Sequence, residues 1–262
     1  MKTAITVAAL ALALVALWAT SIRAADGDSG QAAAVTAAIE SPDRPAADRE
    51  EDARRHPQQV LAFAGIAPGM YVVDVFSAGG YYTELLARVV GAKGQVVAYN
   101  NPPYAQFAAK GIAARYAGDR LPNVKQVTST IEELKLIPSS QDAAIFIMSY
   151  HDLYWRPSDG SWPATDPMLL LGKLHAALKP GGVVVVQDHV ATAGGDPVAT
   201  VDKLHRIDPA VVKRDFAKAG FVLEAESPIF AHPEDDHATL VFDEAIRGRT
   251  DQFLYRFRKP AL

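Results

Sequence analysis

Five apolar segments of strand length, separated by helix-like segments, constrain this chain more than any other feature of its sequence. The segments run from Met70 to Val75, Gln95 to Asn100, Val124 to Thr128, Ala143 to Ser149 and Val183 to Asp188. They lack the polar–apolar alternation of a strand with one solvated face, so each is expected to be buried on both faces. The pattern predicts an α/β fold of the Rossmann-like type, a doubly wound, mostly parallel seven-stranded sheet with helices on both faces.

The intervening and following segments complete the predicted fold. Helical patterns occupy Tyr81 to Val90, Tyr104 to Tyr116, Pro167 to Leu178 and Pro209 to Ala219. A further helix begins near Pro57, whose missing N–H is tolerated at a helix start, and ends at Gly65. The last two strands are predicted at Gly220 to Leu223 and Phe253 to Phe257.

The N-terminal residues have the composition of a secretory signal. Lys2 precedes an apolar run from Ala4 to Ala19, and small residues that suit a signal peptidase follow. A membrane anchor is the alternative, but the run is shorter than the roughly 20 residues that span a bilayer. We therefore expect a periplasmic or secreted protein without a stable membrane anchor after cleavage. The predicted divisions are a signal peptide at 1–24, a flexible lead-in at 25–47 that is rich in Ala, Asp, Gly and Ser, and one folded domain at 48–262.

Composition narrows the range of partners. The chain has no cysteine, so the fold must be stabilised by its core rather than by disulfides. The formal net charge is −4, and Lys and Arg are scattered rather than clustered with aromatic residues. This argues against a nucleic-acid surface and favours a small-molecule substrate.

The turn after the first strand has the residues of a nucleotide-binding loop. Asp74 lies near the strand end, and Gly79 and Gly80 lead directly into the helix that begins at Tyr81. Small residues permit close approach of a ligand, and free N–H groups at a helix start favour a negative group. The Gly-x-Gly-x-x-Gly of dinucleotide-binding proteins is absent. A turn that needs glycine only for its geometry is the alternative.

This turn resembles the first motif of the class I S-adenosylmethionine-dependent methyltransferases, an acidic residue followed by Gly-x-Gly-x-Gly. Asp74 and Gly80 match the acid and the last glycine, whereas Phe76 and Ala78 occupy the first two glycine positions. The sequences Pro-Gly-Met at 68–70 and Leu-Lys-Pro-Gly-Gly at 178–182 also resemble this superfamily. The segments 52–57, 150–152, 205–208 and 248–251 resemble an exported branch of predicted methyltransferases. The resemblance implies that the domain 48–262 binds S-adenosylmethionine and methylates a small-molecule acceptor.

The resemblance also assigns residues to the cofactor. Asn100 stands where family members place an acid for the ribose hydroxyls, although an amide lacks the charge that strengthens such bonds. Starting a turn is its alternative role, and helix capping is the alternative for the hydroxyls after the third strand. The predicted cofactor-binding residues are Asp74, Ser77, Gly79, Gly80, Asn100, Ser129, Thr130 and Ser149.

Titratable residues follow the fourth and fifth strands. Because these strands are expected to be neighbours, their carboxyl ends should project into one cleft. Either His151 or His189 can serve there as a general base, and Asp152 and Asp188 can alternatively be metal ligands or structural groups. The predicted catalytic residues are Tyr150, His151, Asp152, Asp188, His189 and His205.

Three further expectations concern Arg206, the stretch 232–237 and the functions that compete with methyl transfer. Arg206 either clamps an anionic substrate or pairs with Asp215 or Glu50, and pairing is favoured. The charged, proline-containing stretch 232–237 is expected to be a solvated loop. The alternatives to methyl transfer are an exported, non-catalytic metabolite-binding protein and a metal-assisted hydrolase built on the two acidic residues of the cleft.

Overall fold

The computed structural model describes residues 29–261, which are built around a seven-stranded sheet. The strands are β1 (Tyr71–Val75), β2 (Gln95–Asn100), β3 (Val124–Thr128), β4 (Gln141–Ile147), β5 (Leu178–His189), β6 (Val222–Ser227) and β7 (Gln252–Arg258). Their order is β3-β2-β1-β4-β5-β7-β6. The β1–β2, β1–β4, β2–β3 and β4–β5 pairs are parallel, and β7 is antiparallel to both of its neighbours. The predicted doubly wound, mostly parallel α/β fold is confirmed.

Helices cover both faces of the sheet. They are α1 (29–40), α2 (Ala46–Arg55), α3 (Pro57–Ala64), α4 (Tyr81–Val90), α5 (Pro102–Phe107), α6 (Ala109–Tyr116), α7 (Pro167–Ala177), α8 (Pro197–Leu204) and α9 (Pro209–Lys218). Buried side chains of α7, α8 and α9 form the core on one face, and those of α1, α3 and α4 form the core on the other. The segment α5–α6 differs, because α5 has no fully buried residue and α6 buries only Arg115.

The strand order places a cleft at a defined edge of the sheet. β1 pairs on one side with β2 and on the other with β4, so the chain reverses its direction of winding between β1 and β4. Ligands of open α/β sheets bind outside the carboxyl ends of the strands at such a switch point. The residues that follow β1, β2, β4 and β5 therefore define the candidate site.

The N-terminal part of the described chain differs from the sequence prediction. Residues 29–40 are helical, although a flexible lead-in is predicted for 25–47 and an ordered domain only from 48. Val35 and Ala38 are buried, and they pack in the same core as α4. Alanine favours helix more than any other residue, and a helix of alanines needs few large apolar residues to bury a face. The segment therefore lacks the pattern of large apolar residues from which a helix is predicted.

Other predicted elements are confirmed with small changes. The helix predicted over Tyr104 to Tyr116 is divided at Ala108 into α5 and α6. The helix α8 is an addition to the predicted set; Asp196 caps it by accepting a hydrogen bond from the N–H of Ala199.

The predicted signal sequence at 1–24 lies outside the described residues. Within the range 29–261, none of the helices combines the length and the apolar character needed to cross a membrane.

Candidate active site

The loop between β1 and α4 has a left-handed backbone at three alternate positions, two of which are not glycine. The φ angles are +54° at Phe76, +48° at Ala78 and +81° at Gly80. These left-handed positions match the three glycines of the Gly-x-Gly-x-Gly pattern. A residue with a Cβ pays about 1–2 kcal/mol for this conformation, and such strain persists mainly at functional sites.

The ring of Phe76 belongs to an aromatic cluster beside this loop. It stacks on Tyr99 of β2 at 5.6 Å and on Tyr104 of α5 at 5.1 Å between ring centroids. Trp162 meets the edges of both Phe76 and Tyr104. Phe76 is only 3% exposed, so its side chain packs with the core instead of pointing to solvent.

Asn100, the predicted ribose ligand, braces the same loop. Its Oδ1 accepts the backbone N–H of Ala78 at 2.9 Å, and its Nδ2 donates to Ser77 Oγ at 3.1 Å. The N–H of Ser77 donates to the carbonyl of Tyr99. Asn100 and Ser77 thus hold the loop against β2, a structural role that the sequence alone does not reveal.

Two other predicted cofactor residues are buried beneath the loop. Asp74 accepts a hydrogen bond from Thr83 Oγ1 at 2.6 Å, and Ser149 Oγ donates to the carbonyl of Val75. Burial raises the pKa of Asp74 to about 7, although the hydrogen bonds from Thr83 work in the opposite direction. Both side chains therefore form hydrogen bonds within the protein. Asp74 links β1 to α4, and Ser149 links the residues after β4 to the end of β1.

The residues after β3 divide between two roles. Thr130 Oγ1 accepts the N–H of Glu133 at 3.3 Å, as the capping alternative predicts. The hydroxyl of Ser129 is buried and has no hydrogen-bond partner among the described residues. Ser129 is therefore a predicted cofactor residue whose hydroxyl is buried and unpartnered within the described part of the chain.

The acidic and histidine residues after β4 and β5 come together as predicted. His151 Nδ1 lies 2.7 Å from Asp188 Oδ1, and its Nε2 lies 3.4 Å from Asp152 Oδ1. The hydroxyl of Tyr104 donates to Asp152 Oδ2. All three predicted residues are buried, with Asp188 fully so. One connected polar network thus joins α5 to the ends of two neighbouring strands.

The charges of this network follow from its geometry. Burial works to lower the pKa of His151, but Asp152 and Asp188 outweigh it and raise the pKa to about 9. Burial works to raise the pKa of Asp188, and the charge and hydrogen bond of His151 lower it below its ordinary value. For Asp152, burial dominates and the pKa is raised. His151 is therefore a cation paired with Asp188 at neutral pH, and it has no free lone pair for a base.

The two other predicted histidines are neutral. Burial lowers the pKa of His189 to about 3, and its Nδ1 lies 2.7 Å from Thr250 Oγ1. Burial, assisted by the charge of His151, lowers the pKa of His205 to about 4. His205 Nδ1 is buried without a hydrogen-bond partner among the described residues, and its ring lies 5.6 Å from that of His151. His205 is thus the neutral imidazole nearest the charged network with an unused nitrogen.

Tyr150 corrects the predicted catalytic set. Its hydroxyl donates to Asp215 Oδ2 at 3.0 Å, and its ring packs against Phe146 and Phe216 in the core. Tyr150 lies shortly after the end of β4, but its side chain is buried in the core beneath α9 and does not face the cleft. It is a structural residue.

Arg206 forms an ion pair, as favoured from the sequence, but with a partner that the sequence does not indicate. Arg206 pairs through two hydrogen bonds with Asp235, at 2.7 and 2.9 Å, and not with Asp215 or Glu50. The stretch 232–237 is a largely exposed loop, as expected, and Asp235 is its one buried residue, because it forms this buried pair. No group of three or more metal-ligating side chains lies in a suitable arrangement within residues 29–261.

Sequence reasoning missed three residues of the site, which are Tyr104, Trp162 and Arg115. Arg115 Nε donates to the carbonyl of Gly79 at 3.0 Å, so α6 contacts the glycine loop directly. Tyr104 and Arg115 are separated in sequence from the motifs, and only the path of α5–α6 brings them to the cleft.

Comparison with solved structures identifies the fold. The chain is similar to an S-adenosylmethionine-dependent methyltransferase from Aquifex aeolicus, with a TM-score of 0.57 and 19% identity over 84% of this chain and 96% of that one. It is also similar to an arsenic(III) S-adenosylmethionine methyltransferase from Chlamydomonas reinhardtii, with a TM-score of 0.52, 18% identity and coverages of 87% and 73%. A third is phosphoethanolamine N-methyltransferase 2 of Haemonchus contortus, crystallised with S-adenosyl-L-methionine, with a TM-score of 0.55, 14% identity and coverages of 77% and 51%.

The fold is therefore that of class I S-adenosylmethionine-dependent methyltransferases. No protein-family model matches the sequence, and no curated protein matches it. At these identities the likeness concerns the fold alone, and the function must be argued from the site.

Proposed function

We propose that this protein is an S-adenosylmethionine-dependent methyltransferase that acts on a small-molecule acceptor. The observation that carries the proposal is the left-handed backbone at Phe76, Ala78 and Gly80. Two residues with a Cβ keep a conformation that only glycine adopts without cost, at the switch point where this fold binds its ligands.

The residues of the cleft accommodate the cofactor only in part. The loop backbone around Gly79 and the free hydroxyl of Ser129 support binding of an adenosyl group. Asn100, however, is bonded to the loop, and α6 lies against Gly79. When bound, S-adenosylmethionine supplies a methyl group activated by a positively charged sulfur. The chain must then align the acceptor and take its proton.

The polar network supports different roles for His151 and His205 on the acceptor side. His151 is a fixed cation held by Asp188, and it is suited to orient an acceptor oxygen or an anionic group. His205 is neutral and has an unused nitrogen, so it replaces His151 as the better base candidate. The ring centroids of Trp155 and Phe242 each lie 5.0 Å from that of His205. An acceptor bound near His205 would therefore contact aromatic side chains.

Calorimetric titration of the purified protein with S-adenosylmethionine and S-adenosylhomocysteine tests the proposal. We expect saturable binding of both. If neither compound binds to the wild type or to variants that expose the glycine loop, methyl transfer is rejected and the non-catalytic binding protein becomes the better hypothesis. Gly79→Ala is a suitable variant, because a Cβ there lies 3.8 Å from the Cα of Gly111, an ordinary contact that the fold tolerates.

Gly80 is less suitable for this test. Its φ is +81°, and a Cβ would lie 3.2 Å from the hydroxyl of Tyr116. Gly80→Val would therefore strain the fold as well as the loop.

We also propose that the protein acts outside the cytosol. The composition of residues 1–24 supports export, and cell fractionation with and without this segment tests it. Retention of the full-length chain in the cytosol would contradict export without affecting the proposed reaction.

A further inference from the structure

The small residues of the glycine loop are contacted by helix α6. A Cβ placed on Gly111 would lie 3.3 Å from the Cα of Gly79. A Cβ placed on Gly80 would lie 3.2 Å from the hydroxyl of Tyr116 and 3.4 Å from Cγ of Arg115. The close approach that glycine permits at this loop is thus made by the chain itself, on the surface where a ligand would lie.

Arg115 fastens α6 in this position. Its Nη1 forms ion pairs with Asp48 of α2 and Glu84 of α4, and its Nε donates to the carbonyl of Gly79. Arg115 is 9% exposed and Glu84 is fully buried. Glu84 also pairs with Arg88 and Arg120, so its charge stays compensated when Arg115 is removed.

The preceding helix closes the other half of the cleft. Tyr104 of α5 donates its hydroxyl to Asp152, and its ring covers Phe76. The same segment therefore covers both the loop predicted to hold the cofactor and the acidic network predicted to face the acceptor.

Apart from these contacts the segment is thinly packed. Phe107 of α5 is 86% exposed, and Ala109, Lys110 and Gly111 at the start of α6 are exposed. Segments with few buried apolar contacts open at a small fraction of the free energy of global unfolding. Pro102–Tyr116 can accordingly leave the cleft while the sheet stays folded.

We propose that α5–α6 is a lid, closed in this structure by Arg115 and Tyr104, which must leave the glycine loop before the cofactor can bind. The inference rests on the proposed function, because the ligand it excludes is S-adenosylmethionine. If the open form makes up about 1–10% of the molecules, full opening tightens the apparent Kd about 10- to 100-fold.

Arg115→Met with Lys110→Met as the matched control tests the lid. Both remove one charge from α6, but Lys110 is exposed whereas Arg115 holds the helix down. In the ligand-free protein, Arg115→Met should accelerate amide hydrogen exchange over 102–116, and Lys110→Met should not. Arg115→Met should also bind S-adenosylhomocysteine more tightly and associate with it faster.

A second pair protects the test against misfolding of Arg115→Met. Gly111→Leu places a side chain between α6 and Gly79, and Ala113→Leu places the same side chain at an exposed position of that helix. Only Gly111→Leu should open the lid and tighten binding.

The outcomes separate the two proposals. If the wild type binds S-adenosylhomocysteine and both opening variants match their controls in exchange, affinity and association rate, the lid is refuted while the proposed function stands. If neither the wild type nor any opened variant binds either cofactor form, both proposals are refuted.

Discussion

His151 Nδ1 lies 2.7 Å from Asp188 Oδ1, and the backbone N–H of His151 donates to the other oxygen of the same carboxylate at 2.9 Å. The two residues follow neighbouring strands, β4 and β5, whose parallel register brings their ends together. Both are buried, so their interaction is poorly screened by water. This arrangement raises the pKa of His151 and lowers that of Asp188, so it favours a protonated His151 beside an ionised Asp188 at neutral pH.

Asp188→Asn should destabilise the protein by about 3 kcal/mol near pH 6, because it leaves the buried His151 without its ion-pair partner and removes one of the two charges, with that of Asp152, that raise the pKa of His151. A raised histidine pKa stabilises the fold below the unfolded value of about 6.5. That contribution is lost as the pH rises through about 9. The lowered pKa of Asp188 adds stability that is lost as the pH falls below its ordinary range. Urea unfolding from pH 4 to 10 measures the difference.

The control for this prediction is Glu226→Gln, which removes an exposed pair with Lys213. Such surface pairs contribute about 0–1 kcal/mol, so this variant should change little at any pH. An NMR titration of His151 checks the mechanism directly. A pKa of His151 that does not fall in Asp188→Asn would contradict the assigned ion pair.

Asp74→Asn should become more stable relative to wild type as the pH rises from 4 to 8. Burial raises the pKa of Asp74 to about 7, well above its ordinary value of 3.8. Between these values Asp74 is ionised in the unfolded chain but protonated in the folded protein, so rising pH favours unfolding of the wild type. Three pKa units correspond to about 4 kcal/mol, and an amide oxygen can still accept the hydrogen bond from Thr83. Thermal unfolding of both proteins across this pH range measures the effect, and parallel curves would contradict it.

The sequence predicts the sheet because its strands are continuous apolar runs, and it predicts the meeting of His151 with Asp188 because parallel neighbours end at one edge. The direction of a single side chain is harder to predict. Tyr150 adjoins His151 in sequence but points into the core, where Asp215 accepts its hydroxyl. The path of α5–α6 is set by ion pairs of Arg115 with residues distant in sequence, and no periodicity reveals it.

Ala78→Gly should stabilise the fold by about 0.5–1 kcal/mol. The substitution removes about 1–2 kcal/mol of left-handed strain, and the greater freedom of glycine in the unfolded chain offsets about 0.4–1 kcal/mol of this gain. Ala87→Gly, within α4, is the matched control and should destabilise by about 1 kcal/mol. Chemical denaturation of the three proteins measures both changes. Equal destabilisation by the two substitutions would show that Ala78 is not strained.

Asp235→Ala should destabilise the protein by about 3–5 kcal/mol, because it leaves Arg206 charged and unpaired in a buried position. Arg206 also donates to the carbonyls of Val190 and Thr239, so it joins the end of β5 to the irregular segment 228–251. Loss of the pair should therefore release that segment before the sheet unfolds. Faster amide exchange over 228–251 than over β1 would report the release.

The double variant Arg206→Met with Asp235→Leu tests whether the cost of Asp235→Ala comes from the unpaired charge of Arg206. Replacing both charges with apolar side chains removes the penalty for an unpaired ion, so the double variant should be more stable than Asp235→Ala. Glu224→Gln, which weakens partly exposed pairs with Arg256 and Arg258, should cost no more than about 1 kcal/mol. A double variant as unstable as Asp235→Ala would mean that the backbone bonds of Arg206, rather than its pairing with Asp235, hold the segment in place.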